Sequence, residues 1–253
     1  MGLTLQSESL ALVFRHVELL DRILVTPSYV RIRLAGYELR GFDSPGADDH
    51  VRLFVPRAGH LVPDTLEGWR DLPSREYTPV EWNSAAGWLD LELVLHGGGA
   101  VSAWAEQAPL GSRAAIGGPR GTLIMTGRPG SWLLAGDETA VPAIRRWLAL
   151  AGPDATGRVI IEHDGHRVPL EVPAGMELEH VERTADPGAA LVSSLGRLAA
   201  AGAPDRDPFV FIAAEQRVVR AGRRLLEAWS VDPEQAVVKG YWRQGDIEYH
   251  APH

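Results

Sequence analysis

The sequence contains no cysteine. That absence excludes disulfides, thiolate zinc sites, iron–sulfur clusters and a thiol nucleophile, and it agrees with a reducing compartment. There is no excess of basic charge. Asp and Glu number 33 against 25 Lys and Arg, for a formal net charge of −8. This is the wrong sign for a general nucleic-acid footprint, which needs a basic surface. No long apolar run is present. The N-terminal stretch MGLTLQSESLALVFRHVELL offers only LALVF, too short for a membrane span and without the basic start of a signal peptide. The expectation is a soluble, cytoplasmic chain with no membrane or nucleic-acid partner. G-x-S-x-G is missing, which disfavours a nucleophile-elbow hydrolase. G-x-G-x-x-G is also missing, so the motif alone supports no dinucleotide site. What remains is 253 residues, 45% of them hydrophobic, enough for one large domain or two small ones with a real core.

The hydrophobic period changes along the chain. In the first half, RILVTPSYVRIRLAG alternates around Thr26-Pro27, with Val30, Ile32 and Leu34 on one face and Arg31 and Arg33 on the other. HVRLFVP repeats the pattern, as does GWLDLELVLHG with Leu89, Leu91, Leu93 and Leu95 on one side. GSRAAIGGPRGTLIM reads as two more short strands around a Gly-Pro turn, and one helix interrupts near Ser102–Ala108. Many short strands with regular turns predict a barrel or sandwich. In the second half, SWLLAGDETAVPAIRRWLALAGPD reads strand, turn, helix, stop, with Thr139 as N-cap and Pro142 at the third helical position. GRVIIEHDG, PFVFIAAE and AVVKGYWRQG read as strands; GAALVSSLGRLAAAG and QRVVRAGRRLLEAW read as helices. Alternating strands and helices predict a mostly parallel α/β sheet. The expected division is 1–128 and 129–253, through TGRPGS. Open α/β sheets take ligands beyond the carboxyl ends of their strands, so a crevice between the domains is the expected site.

Four stretches could carry chemistry. REYTPVEW places Arg75, Tyr77 and Thr78 before a proline. A strand edge explains Tyr77 and Thr78 but does not ask for Arg75. A flavin would use all three, through ring stacking, a hydrogen bond to the ring and a bidentate grip on phosphate. By itself the tetrapeptide reads first as a strand edge with a surface arginine. HGGGAVSAWAEQA runs Gly97–Gly99 into a helix with Ser102 as cap, equally consistent with a flexible loop and with an anion site. AGDETAVPAI lies at the end of the first α/β strand, where Asp137 and Glu138 discourage direct phosphate contact. HDGH at His163–His166 reads as a hairpin turn before it reads as a metal site.

Taken in order, LVTPSYVRIRLAG, DDHVRLFVP, REYTP, the HG…VSAWA loop and helix, GGPRG, GDETAVPAI, AAEQRVVRAGRRLL and GYWRQG resemble the siderophore-interacting protein family. These are flavin-dependent ferric-siderophore reductases of the ferredoxin–NADP reductase superfamily. The resemblance covers nearly the whole chain and rests on the combination of pieces. It implies an N-terminal antiparallel Greek-key β-barrel binding FAD, followed by a C-terminal α/β domain of NAD(P)-binding type. Tyr77 would pack on the isoalloxazine, Thr78 would bond its ring and Arg75 would hold the pyrophosphate. His96, Gly97, Val101, Ser102 and Trp104 would wrap the phosphates and the adenine side. Gly136, Asp137, Glu138 and Thr139 would stand where NADH or NADPH enters, with Glu215, Tyr241 and Trp242 lining the flavin pocket.

Arg52, Arg120 and Arg243 are the resemblance's candidates for an anionic ferric siderophore. It implies a monomer, with a ferredoxin as an alternative electron donor, no protein metal site and no catalytic side chain, since the flavin does the redox chemistry. The sequence departs from the family at Ala100, where proline is usual, at Val80, where arginine is usual, and at Ala214, where glycine is usual. HVERTADPG lacks a tryptophan common in the family, and the chain ends soon after GYWRQG, without a C-terminal helical extension. Two other readings stay open. One is an FAD- or siderophore-binding module with weak or no reductase activity; the other is a general NAD(P)H–flavin oxidoreductase with another acceptor.

Overall fold

The protein is described from a computed structural model, which covers residues 3–57, 59, 62–63, 65–205 and 207–246. It divides into a unit of Ser7–Ile124 and a unit that gathers residues 3–6 with Met125 onward. No helix among the described residues is long and apolar enough to cross a membrane.

Alternation builds the first unit. Its strands are β2 (Phe14–Thr26), β3 (Tyr29–Ala35), β4 (Val51–Phe54), β5 (Ser74–Tyr77), β6 (Pro79–Asn83), β7 (Trp88–Val94) and β8 (Arg113–Gly117), with β1 (Thr4–Ser9) and β9 (Gly121–Thr126) running across its bounds. Two helices interrupt them, α1 (Leu66–Arg70) and α2 (Ala100–Gln107); the periodicity did not predict α1. Seven strands form one sheet in the order β5-β4-β8-β2-β3-β7-β6, and β1 pairs with β9. Every pairing in the large sheet is antiparallel. Its two edge strands, β5 and β6, are separated in the chain by Thr78 alone. The sheet must therefore curl until its edges meet at that residue. The β3-to-β4 and β7-to-β8 connections cross to non-neighbouring strands, as in a Greek key.

The inward face carries Val30, Ile32, Leu34, Val51, Leu53, Leu89, Leu91, Leu93 and Ile116, all buried in one cluster. Each contributes roughly 1.5–3 kcal/mol by leaving water. Arg31 and Arg33 face the other way, as the alternation predicts. There they meet their direct cross-strand partners, Glu92 and Asp90.

The second unit is a parallel sheet of β10 (Ser131–Asp137), β11 (Thr156–His163), β12 (Gly175–Glu182), β13 (Pro208–Glu215) and β14 (Ala236–Trp242), in the order β12-β11-β10-β13-β14. Three helices cover it: α3 (Val141–Ala151), α4 (Ala189–Ala201) and α5 (Val218–Trp229). Trp147 of α3 packs on Phe209 and Phe211, while Val210, Ile212 and Ala214 cluster with residues of α4 and α5. Successive residues of β13 point to opposite faces, so α3 lies on one face and α4 and α5 on the other. The chain order reverses between β10 and β13, which makes their carboxyl ends the topological switch point. Gly136 sits there because nothing larger fits: a Cβ would lie 2.4 Å from the Ala140 methyl and 2.5 Å from the Ala213 carbonyl.

Three local expectations are corrected. HDGH is not a hairpin turn, because β11 and β12 are parallel neighbours. It opens an irregular crossover through residues 164–174 to β12, a strand whose alternating glutamates masked it in the sequence. Thr139 is not the N-cap. Asp137 leaves β10 still extended and its side chain accepts from Thr139 N, capping the 3-10 turn Glu138–Ala140; α3 follows with Pro142 in its first two positions. Ser102 does not cap α2 either. Gly99, with φ of 91°, turns the chain into the helix at Ala100. Ser102 is thereby inside the first turn, where its hydroxyl accepts from His96 N at 3.4 Å.

Candidate functional site

In the first unit, the seam of the curled sheet carries the predicted residues. Alternation puts Arg75 and Tyr77 on one side of β5, opposite Leu53 and Val51 of β4. Tyr77 is half-buried and packs on the barrel core. Burial pushes its hydroxyl well above the usual range, against the pull of Arg75, so the ring stays neutral. Arg75 donates to the Ser74 carbonyl at 2.6 Å. Thr78 is buried at the seam itself.

Helix α2 is contacted by β3, β5 and β7, which places it against the same sheet as Tyr77. That start has no side-chain cap. Gly97 and Gly99 have φ of 65° and 91°, and a Cβ on Gly97 would meet nothing within 4 Å. The exposed His96 ring lies beside the loop, 3.5 Å from where a Cβ of Gly99 would stand. Val101 and Trp104 are buried in the barrel core and anchor the helix. An open glycine cradle before uncapped helix N–H groups suits a phosphate group. A half-buried neutral aromatic beside a buried hydroxyl suits a flat heteroaromatic ring. The residues present therefore fit a flavin dinucleotide. Ala100 occupies the first helical position, where proline is favoured but not required.

The predicted arginines are differently placed. Arg52 is paired with its cross-strand neighbour Glu76 at 2.5 Å, and His50 stands 4.0 Å from the same carboxylate. Arg120 is exposed in the turn after β8. Arg243, in the other unit, is exposed just beyond β14.

In the second unit, the carboxyl edge of the sheet is a network of buried carboxylates. Asp137 Oδ1 accepts from Thr139 N at 2.9 Å and Thr139 Oγ1 at 2.5 Å, and Oδ2 accepts from Trp242 Nε1 at 2.7 Å. Burial raises the Asp137 carboxyl despite these bonds. Glu138 Oε1 accepts from Asp164 N at 2.7 Å, and its other oxygen pairs with Arg183. Burial, with Asp137 alongside, pushes Glu138 up to about 7. Burial opposes the charge of Arg183, but Glu138 and Asp137 more than offset it and raise its pKa. Arg183 also reaches Glu162 at 3.3 Å, and Glu162 takes Gly188 N and Leu191 N at 2.7 and 3.0 Å, capping α4. Glu215 accepts from Arg217 N at 2.8 Å and from Gln244 N at 3.3 Å.

Gly136, Asp137, Glu138, Thr139, Glu215 and Trp242 are thus brought to one edge, with Tyr241 preceding Trp242 on β14. Ala214, whose methyl replaces a usual glycine hydrogen, is buried in the core on the α4–α5 face. The sequence reading missed Glu162, Arg183 and Arg217. Arg183 follows β12, so recognising the alternation of Met176 and Leu178 with Glu177 and Glu179 would have found it. Among the described residues, no group of His, Asp or Glu is arranged to hold a metal ion.

An antiparallel curled sheet joined in one chain to a parallel α/β sheet is a fold shared with the ferredoxin reductase in carbazole 1,9a-dioxygenase, which superposes with a TM-score of 0.66 at 14% identity, covering 92% of this chain and 68% of that one. Residues 18–123 match the siderophore-interacting FAD-binding domain, and residues 130–245 match the siderophore-interacting protein model. The chain is 32% identical to the NADPH-dependent ferric-chelate reductase of Escherichia coli, over 90% of this chain and 92% of that protein. It is 29% identical to the ferric vibriobactin reductase ViuB of Vibrio cholerae, over 93% and 92%. The crystal structure of a siderophore utilization protein from T. fusca superposes with a TM-score of 0.84 at 29% identity, covering 97% of this chain and 98% of that one. The chain belongs to the siderophore-interacting protein family, with its FAD-binding domain in the N-terminal half.

Proposed function

We propose that this protein is a cytoplasmic FAD-dependent oxidoreductase that reduces Fe(III) held in a siderophore to Fe(II), with NADH or NADPH as donor. The observation that carries the reading is the seam: Tyr77 and Thr78 stand where the sheet edges meet, in the same unit as the uncapped glycine start of α2. The names of the Escherichia coli and Vibrio cholerae relatives point the same way. Arg75 and the α2 start would hold the phosphates, Tyr77 would pack on the flavin ring and Thr78 would bond its edge. Val101 and Trp104 would fix the helix, and Ser102 and His96 would brace the loop. When bound, FAD accepts a hydride from the nicotinamide and returns electrons one at a time to ferric iron.

The chain's own residues would do the positioning. The carboxyl edge of the second sheet, with Gly136 to Thr139, Glu215, Tyr241 and Trp242, would receive the donor. Arg120, Arg243 and Arg52 would supply local positive charge for an anionic chelate on an otherwise acidic protein. Fe(II) suits hard oxygen ligands less well than Fe(III), so the product chelate loosens. The protein acts as a monomer on this reading, with a ferredoxin as the alternative donor.

An anaerobic visible spectrum of the purified chain tests this. Flavin bands should bleach with NADH or NADPH and recover on adding a ferric siderophore. Bands that bleach and recover only with a dye would identify a general flavin oxidoreductase. Bands that respond to no nicotinamide donor but do respond to reduced ferredoxin would replace the donor. Bands that respond to neither would indicate a binding module. Protein that takes up no FAD would overturn the reading.

A further inference from the structure

Trp242 is held at its indole from two directions and at its backbone from a third. Its Nε1–H donates to Asp137 Oδ2 at 2.7 Å. The Arg183 guanidinium lies 6.0 Å from its ring centroid, within cation–π range. Its backbone carbonyl accepts from Gln216 N at 2.8 Å. Neither partner is free to swing. Asp137 Oδ1 is occupied by Thr139 N and Oγ1, and Arg183 is tied to Glu138 and Glu162. Asp137 is 1% exposed, so its carboxylate cannot exchange the indole for bulk water.

Capping the turn at Glu138–Ala140 needs only one oxygen, and Oδ1 provides it. The second oxygen reaches an indole at the end of a different strand, across the switch point of the sheet. A buried carboxylate is costly unless both oxygens are satisfied. The fold therefore couples the start of the β10 turn to the orientation of one aromatic side chain.

We propose that Asp137 is a positioning residue: with Arg183 it clasps Trp242 and sets the angle at which the indole stands at the carboxyl edge of the second sheet. The consequence for hydride transfer rests on the functional reading above, in which this edge receives the nicotinamide donor. The clasp itself does not depend on that reading.

The test uses the full chain loaded with FAD and labelled with 15N-tryptophan. The Trp242 indole N–H resonance, identified by its disappearance in Trp242→Phe, should lie downfield because it is held in a 2.7 Å hydrogen bond, and should move upfield in Asp137→Asn. Arg183→Gln keeps the Asp137 carboxyl and its bonds to Thr139, and should move the same resonance. In stopped flow with NADPH, Asp137→Asn should slow flavin bleaching about 10-fold, as expected for a misplaced side chain where the donor binds. Adding Asp137→Asn to Trp242→Phe should slow it no further, because the two residues act as a unit.

A Trp242 resonance unmoved in both Asp137→Asn and Arg183→Gln overturns the proposal, as does a double variant whose loss is the product of the two single losses. If the parent flavin never bleaches with a nicotinamide donor, the functional reading fails, and the resonance still decides the clasp.

Discussion

Both halves of this protein bury carboxylates, and they use them differently. In the curled sheet, Asp90 and Glu92 sit mid-strand on β7. Each is met by an arginine directly opposite on β3: Arg33 grips Asp90 through two bonds at 2.7 and 2.8 Å, and Arg31 grips Glu92 at 2.8 and 3.0 Å. Tyr29 adds a bond to Glu92 at 2.9 Å, and Arg33 stacks 3.8 Å over Trp88. These are ladder pairs that stiffen the outer face of the curled sheet. In the parallel sheet, Asp137, Glu138, Glu162 and Glu215 sit at or just past strand ends, and their acceptors serve loop backbones, a helix start and a distant indole. The lesson is positional. A carboxylate in mid-strand stabilises its sheet, whereas one at a carboxyl terminus orders the loops and helix starts beyond it.

That contrast can be broken by mutation. The largest effect is expected for Glu162→Ala, which strips Gly188 N, Leu191 N and Arg183 of one acceptor at once. Urea unfolding should show a loss of about 3 kcal/mol in the second unit. Next is Gly136→Ala, where a methyl must displace Ala140 or the Ala213 carbonyl, at about 2 kcal/mol in the same unit. Its counterpart Gly97→Ala enters open space and meets only the positive-φ penalty, about 1 kcal/mol. It should instead weaken FAD retention, measured by equilibrium dialysis. Asp90→Ala should cost only about 1 kcal/mol, because Arg33 is 37% exposed and can turn to water. A loss in Asp90→Ala equal to that in Glu162→Ala would erase the distinction between ladder and edge.

Smaller is a pH effect peculiar to the second unit. Glu138 is pushed up to about 7 by burial and by Asp137. Between about 4.5 and 7 the folded protein therefore holds this proton more often than the unfolded chain does, so its contribution to stability falls as pH rises through that window. Glu138→Gln should flatten the slope of midpoint urea concentration against pH there. The smallest effect is expected for Arg158→Ala, which breaks an exposed pair with Glu177 and should change stability by about 0.5 kcal/mol or less.

The amino-acid sequence by itself determined the two-part architecture, because hydrophobic period is a local property. Leu89, Leu91 and Leu93 could only be one face of a strand, and Trp147 and Leu148 could only pack as part of a helix. It also marked Gly97–Gly99 and Arg75 as candidates, although a flexible loop and a strand edge account for those stretches locally just as well. It could not show that Thr78 closes the seam of a curled sheet, because that depends on which strands become edges. Nor could it place Trp242 against Asp137 or join Arg183 to Glu138 and Glu162. Those contacts link strand ends far apart in the chain, and a buried charge reveals its partner only when parallel strands have aligned their termini and removed the alternative partner, water.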